Sequence, residues 1–367
     1  MSVISPAPYD FAVFGSSPLA RLLAGLLAHE HGQRACLVGE SHGAFRLTRG
    51  IDLSVAPLTR PETWSVLRRG SVETEKLLLR IAPRGLERAD PLFVAETAPA
   101  REALAHVRHM AMGYGYAVER VGEGIVAPGA TALRIRDALT LNRPLLETAL
   151  DPWLKSAGVR WIDPHDGEPV IKRDGSVRFG SGGSSLEAAH AILVDDAPII
   201  AHLPADERAR LLTVHSTTTL LTEPAAPLAA PIMDFLDRGV RLSQRPRRGI
   251  AALASGPADE AIARIGASLS HLGRLRRAGQ AVFQTVETRD GAPLVGPARG
   301  LRATLVTGLG PIGVFLAPSL ARFIAGKPSV EEAAYFGPRE PGRFHQRALV
   351  ADYQGPIAAE AALEAVS

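Results

Sequence analysis

Six residues near the start of the chain, Gly15-Ser16-Ser17-Pro18-Leu19-Ala20, stand between a short apolar run and a helix-like segment. A turn of this kind aims the free N–H groups of a helix's first turn at one point. The helix dipole adds partial positive charge there, so the chemistry on offer is the holding of an anion. Glu40 closes the next apolar run, 25 residues after Gly15. A carboxylate in that place accepts from ribose hydroxyls and disfavours a 2′-phosphate. Together these residues describe a dinucleotide site for which NADP is not the expected ligand, with NAD and FAD undistinguished. The G-x-G-x-x-G fingerprint is only partly kept. Gly15 supplies the tight turn, whereas Ser17 puts a Cβ where backbone should approach phosphate. Pro18 lacks an N–H that an early helix position does not need, and Ala20 still permits close helix packing. An ordinary strand-to-helix turn remains the plainer alternative.

A second glycine-rich connection lies near the other end, in "LVTGLGPIGVFLAPSLARFIAG". Gly308, Gly310 and Gly313 before a helix allow close backbone approach and present a positive helix end. Their bland role is a tight strand-to-helix link. Little else in the chain competes. His106 and His109 are three residues apart on a helix-like stretch with no third ligand in view, so no metal site is expected. Cys36 is the single cysteine and sits in an apolar strand, which excludes an internal disulfide. Neither a serine–histidine–aspartate spacing nor a Walker loop is present. His215, Arg289, Arg302, Tyr114 and Tyr116 are candidate ligand contacts, although packing or solvent exposure is the commoner role of each type.

The elements that must position these residues follow from pattern. Of 367 residues 46% are hydrophobic, enough for two cores. A net charge of +3, with arginines scattered, does not suit a nucleic-acid track. The N-terminus lacks a basic segment followed by an apolar stretch, and no run of 18 uncharged apolar residues occurs, so a soluble cytoplasmic protein is expected, without membrane contact. The stretch 9–40 reads strand–turn–helix–strand. Residues 55–110 read as helical, with "ETWSVLRRGSVETEKLLLRIAP" and "APAREALAHVRHMAMGYGY" amphipathic. Residues 136–158 read as another helix, followed by the strand "VRWI", a hairpin around Asp174-Gly175 and the apolar strand "AAHAILVDD". Residues 210–290 alternate strand-like pieces with one helix near 257–272, which predicts a mostly antiparallel unit. The fold class expected is α/β: a Rossmann-like domain formed by 1–60, 130–205 and 291–367, interleaved with a mostly antiparallel α+β domain formed by 61–129 and 206–290.

Two regions make the sequence resemble the D-amino-acid oxidase/glycine oxidase superfamily of FAD-dependent oxidoreductases. One is "YDFAVFGSSPLARLLAGLLAHEHGQRACLVGE". The other is "ETRDGAPLVGPARGLRATLVTGLGPIGVFLAPSLARFIAG". In the second, Thr288, Asp290, Gly291, Pro293 and Gly296 match the family's T-x-D-G-x-P-x-x-G segment, and Thr307, Gly308, Gly313, Ala317 and Pro318 match the strand and helix that follow it. A middle stretch, "RRGSVETEKLLLRIAPRGLERADPLFV", is similar to the glycerol-3-phosphate dehydrogenase branch. The resemblance implies a glutathione-reductase-like FAD-binding domain with FAD extended across it. Gly15, Ser17, Pro18, Ala20 and Glu40 would lie toward ADP. Arg46, Thr48 and Arg49 would lie in the loop near the pyrophosphate, and Gly308, Gly310, Ile312 and Gly313 on the flavin side.

The departures fall on function. The family's amino-acid oxidases often carry an arginine three residues before the motif's threonine; here that position is Thr285, and a neutral hydroxyl cannot replace a bidentate guanidinium. Where the family has an alanine-x-glycine turn this chain reads "ILVDDAP", and Asp195 and Asp196 would repel a pyrophosphate. Two functions are therefore expected. One is oxidation of a small amine, amino acid or hydroxy acid by hydride transfer to a flavin. The other is a catalytically degenerate flavin-fold subunit, with or without FAD, that binds a protein partner or another copy of itself. No residue stands out as catalytic.

Overall fold

The computed structural model describes residues 9–40, 47–122, 129–165, 169–181, 184–346 and 350–353. Arg46 lies outside the described residues. The strand Tyr9–Phe14 is central to a sheet in which Ala35–Val38 pairs with it on one side and Ser184–Leu193 on the other, both parallel. Arg160–Ile162 extends this sheet beyond Ala35–Val38, and Thr304–Thr307 extends it beyond Ser184–Leu193, again in parallel. Leu294–Pro297 closes one edge as an antiparallel strand. Parallel strands covered on both faces need continuous apolar runs, and "DFAVF", "ACLV" and "AILV" supply them. The hairpin Pro169–Ile171 and Val177–Ser181 pairs onto Ser184–Leu193 and turns at Gly175, as its Asp174-Gly175 pair predicts.

A second eight-stranded sheet runs in the order 277–288, 212–222, 250–255, 240–244, 232–235, 92–95, 131–135, 118–121. All its pairings are antiparallel except that of Ile232–Phe235 with Leu92–Ala95. Thr131–Ile135, just past the expected break at 129, is one of its strands. A large apolar core lies between the sheets and takes in helices Pro18–His29, Pro61–Ile81 and Arg143–Ser156; smaller cores back the outer face of each sheet. Pro18–His29 is buried almost throughout, which its small and branched apolar residues allow. Gly25 lets it meet Arg143–Ser156, since a Cβ there would fall 2.1 Å from the Trp153 ring.

Two local expectations are corrected. Residues 136–158 are not one helix: Asp137 takes a left-handed φ of 56°, Ala138–Leu141 is a strand paired with Leu86–Ala89, and the helix starts at Arg143. The helical reading of 55–110 also hid Leu86–Ala89 and Leu92–Ala95, four-residue strands too short to show a period between two strongly amphipathic helices.

Candidate functional site

The first turn is held from several sides. Gly15 N–H donates to Val38 O, Glu40 N–H donates to Ser16 Oγ at 2.9 Å, and Ser17 caps the helix by accepting from Ala20 N–H. Two N–H groups at the turn face outward, those of Ser16 and Ser17. Both donate to one carboxylate oxygen, Asp195 Oδ2, at 2.6 and 2.9 Å. Asp195 follows the neighbouring parallel strand and reaches across 179 residues of sequence to do so. Gly15 has φ 155°, and a Cβ on it would fall 2.8 Å from both Ala20 Cβ and Asp195 Cγ. The glycine that survives in the fingerprint is thus required by the Asp195 contact as well as by the turn.

Charge is concentrated around this contact. Arg21, buried in the middle of an apolar helix, donates to Ser16 O at 3.2 Å, to Glu147 O at 3.3 Å and to Asp151 at 3.0 Å, and lies over the Trp161 ring. Trp161 in turn donates its indole N–H to Gly39 O at 2.6 Å. Arg143 pairs with Asp52 at 2.7 Å; burial alone would lower its pKa, and the Asp52 carboxylate outweighs that and raises it. Glu147 is buried, and its Oε2 has no hydrogen-bond partner among the described residues; burial pushes its carboxyl toward the neutral form. Asp196 is pushed up to about 7, first by burial and then by the Asp195 charge beside it. None of Arg21, Asp52, Arg143 and Glu147 stands out in the sequence as a site residue. The available signal was an arginine inside the run "LARLLAGLLA".

The second turn meets the first. Gly308 and Gly310 both have left-handed φ, 71° and 56°, and among the described residues nothing beyond its chain neighbours lies within 4 Å of where a Gly310 Cβ would be. A Gly313 Cβ would fall 3.3 Å from Leu19 Cδ2, so the helical segment Gly310–Leu316 packs directly on the first helix with Ile312 buried. Pro311 O accepts from Leu53 N–H. Asp290 of the T-x-D-G motif binds Arg343 at 2.6 and 2.8 Å, and Thr288 Oγ1 donates to Ala292 O at 2.7 Å, so both shape the turn.

The loop Leu47–Gly50 links this region to the antiparallel sheet. Thr48 O accepts from Thr219 Oγ1 at 2.6 Å, and Arg49 lies over the Phe283 ring at 5.1 Å while its charge lowers the Asp196 pKa. On the same face Thr217 and Thr285 share a hydroxyl–hydroxyl bond of 2.7 Å. His215 sits 3.5 Å from Glu287. Tyr114 and Tyr116 pack on Trp64, and Arg289 donates to Ala209 O. Arg302 lines a separate concavity with His190 and Arg299. Among the described residues no cluster of histidine, cysteine or acidic side chains is arranged to hold a metal ion, and no helix is long and apolar enough to cross a membrane. Cys36 is buried and pushed up to about 12, far from a reactive thiolate.

FAD is the group that the resemblance implies, and the first turn is the place to test its fit. Its donors are those of an anion cradle, and the Asp195 carboxylate is a stand-in for a phosphate oxygen on them. The donor chemistry therefore fits a pyrophosphate, although the chain already supplies an anion of its own.

No protein-family model matches the chain, and no curated protein matches it. Solved structures do. L-proline dehydrogenase from P.horikoshii superposes with a TM-score of 0.71 over 94% of this chain and 100% of that one, at 14% identity. Iminodiacetate oxidase from Chelativorans sp. BNC1 gives 0.68 over 90% and 99%, at 16% identity. Glycine oxidase from Geobacillus kaustophilus gives 0.66 over 87% and 94%, at 17% identity. Likeness at these identities is a likeness of fold, and the fold of this chain is the one these three enzymes share.

Proposed function

We propose that this chain is an FAD-dependent oxidoreductase acting on a small amine, amino acid or hydroxy acid. The observation that carries the proposal is the meeting of the two glycine turns. Leu19 of the first packs on Gly313 of the second, and Arg49, over the Phe283 ring, acts on Asp196 from the face of the antiparallel sheet that carries Thr217 and Thr285. Neighbours of this fold include an oxidase and a dehydrogenase of amino acids, which supports the reading.

FAD, when bound, supplies a hydride acceptor. The chain's part is to bind and orient. Ser16 and Ser17 N–H, at the positive end of the first helix, would hold the pyrophosphate, and Glu40 would accept from the ribose. Backbone at Gly308, Gly310, Ile312 and Gly313 would approach the flavin. On the sheet face the Thr217–Thr285 pair offers neutral hydroxyls, suited to an amine or alcohol group, and Arg49 brings the positive charge that a substrate carboxylate needs.

The Asp195 contact favours a second reading, a flavin-fold subunit without catalysis whose ligand is a protein partner or another copy of itself. A visible absorption spectrum of the purified protein, before and after excess FAD and removal of free cofactor, separates the two. Retained flavin bands that bleach with an amine or amino acid support the oxidoreductase. Absence of flavin after reconstitution favours the subunit.

A further inference from the structure

We propose that Asp195 is a built-in competitor for the cofactor: its carboxylate occupies the anion cradle of the first turn, and a dinucleotide pyrophosphate binds there only when Asp195 leaves. This rests on the reading of the first turn as a dinucleotide site and adds to it a residue that sets cofactor affinity.

Three observations carry the inference. The two outward N–H donors of the turn converge on one oxygen of Asp195, at 2.6 and 2.9 Å, which leaves a phosphate no unoccupied donor of that pair. The contact is tight enough that a Cβ on Gly15 would collide with the Asp195 carboxyl carbon. The third concerns where Asp195 would otherwise bind. It stands at the N-cap of the helix Asp196–His202, where an aspartate ordinarily accepts from its own helix, yet it makes no such bond. Its side chain is committed to the distant turn in preference to the local one. Pro198 at the third helical position has no N–H, so the local alternative is limited to Ala197. Asp195 thus has a weaker second seat, and the cradle has two rival anions.

Removing the competitor should tighten binding, because a site that is closed most of the time binds with an affinity reduced by its open fraction. The test compares the wild-type chain with Asp195→Gly, which clears the cradle, and Asp195→Asn, which keeps an acceptor oxygen and removes the charge. Each is titrated with FAD, ADP and inorganic pyrophosphate, followed by flavin fluorescence for FAD and by thermal shift for all three. The expected result is FAD binding tighter by about tenfold or more in Asp195→Gly, with Asp195→Asn between it and wild type. Equal FAD affinity in wild type and both variants overturns the competition and leaves the flavin reading standing. A gain for ADP and pyrophosphate without FAD binding supports the competition and sinks the flavin reading. No gain for any of the three ligands overturns the competition. Should Asp195→Gly not fold, Asp195→Asn carries the same comparison.

Discussion

The two glycine turns share a strand-turn-helix plan and touch one another, but they are built to opposite ends. The first is filled: its donors are taken by Asp195, its serine caps its own helix, and Arg21 ties its Ser16 carbonyl to Arg143–Ser156. The second is open at Gly310: Gly308 and Gly310 hold left-handed backbone, and among the described residues nothing beyond its chain neighbours lies within 4 Å of where a Gly310 Cβ would be, whereas a Gly308 Cβ would fall 3.1 Å from Ala292 O. At Gly310 glycine is kept for its backbone conformation, and at Gly308 for close packing as well. In the first it is kept at Gly15 because a side chain of the same molecule presses against it. Within one fold, then, the second turn leaves space beside Gly310, and the first has acquired the features of a packed core.

Alanine at the two glycines gives the largest expected contrast. Gly15→Ala places a methyl 2.8 Å from Ala20 Cβ, which the helix backbone fixes, and from Asp195 Cγ, which retreats only by giving up its bonds to the Ser16 and Ser17 N–H groups. The cost should be about 3 kcal/mol in denaturant unfolding. Gly310→Ala meets nothing among the described residues and suffers from its φ of 56°, about 1 kcal/mol. Equal costs at the two positions would break the distinction between a filled and an open turn.

Arg21 comes next. It is buried, whereas its ion-pair partner Asp151 is more than half exposed, so the pair itself contributes little. What Arg21→Met would lose is the donors to two backbone carbonyls, Ser16 O and Glu147 O. A loss of about 2 kcal/mol is expected by the same measurement. A loss near zero would mean that the first turn holds its shape without this support.

The pH dependence of Asp196 tests the burial of its carboxyl, with the Asp195 charge beside it as the second cause. Its pKa rises from 3.8 to about 7 in the folded chain, so the folded state binds the proton more tightly than the unfolded state does. For this group stability is full below 3.8 and is lost as pH rises through about 7. Asp196→Asn mimics the protonated form. Its melting temperature should match wild type near pH ~4 and exceed it above pH ~7, by an amount on the order of 1 kcal/mol. A difference that stays flat with pH would show that neither burial nor the Asp195 charge holds the Asp196 carboxyl neutral in the folded chain.

How much of this was legible in the sequence depended on distance along the chain. Both turns and their flanking strands were readable because the signals are local: apolar runs of parallel-strand type, glycines at the bend, a helical period afterwards. The motif of Thr288 to Gly296 was legible for the same reason. The strands Leu86–Ala89 and Ala138–Leu141 were not, since each is fixed by pairing with the other across some fifty residues and neither has length enough to show a pattern. The Asp195-Asp196 pair was visible as a departure that would oppose a pyrophosphate. That Asp195 takes the donors of a turn 179 residues away was not, because no local signal encodes the partner of a long-range side-chain bond. Thr48 and Arg49 were expected in a loop near the pyrophosphate. Their contacts run to the antiparallel sheet, through Thr219 and Phe283, and Arg49 reaches Asp196 as well.

The smallest expected effect concerns the face of the antiparallel sheet that carries Thr217 and Thr285. Thr217 is buried and its hydroxyl bonds that of Thr285 on the adjacent strand, in the place where the resemblance led one to expect a substrate-binding arginine. Thr285→Val removes one partner and should cost about 1 kcal/mol, because the Thr217 hydroxyl is left without it. Replacing both threonines by valine should cost less than the sum of the two single changes, since the pair then vanishes together. Such a coupling would place the hydroxyl pair in the fabric of the sheet, alongside the filled first turn. Additive costs would mean that each hydroxyl finds another partner alone, as groups facing an open site do, and would move this face to the side of the second turn.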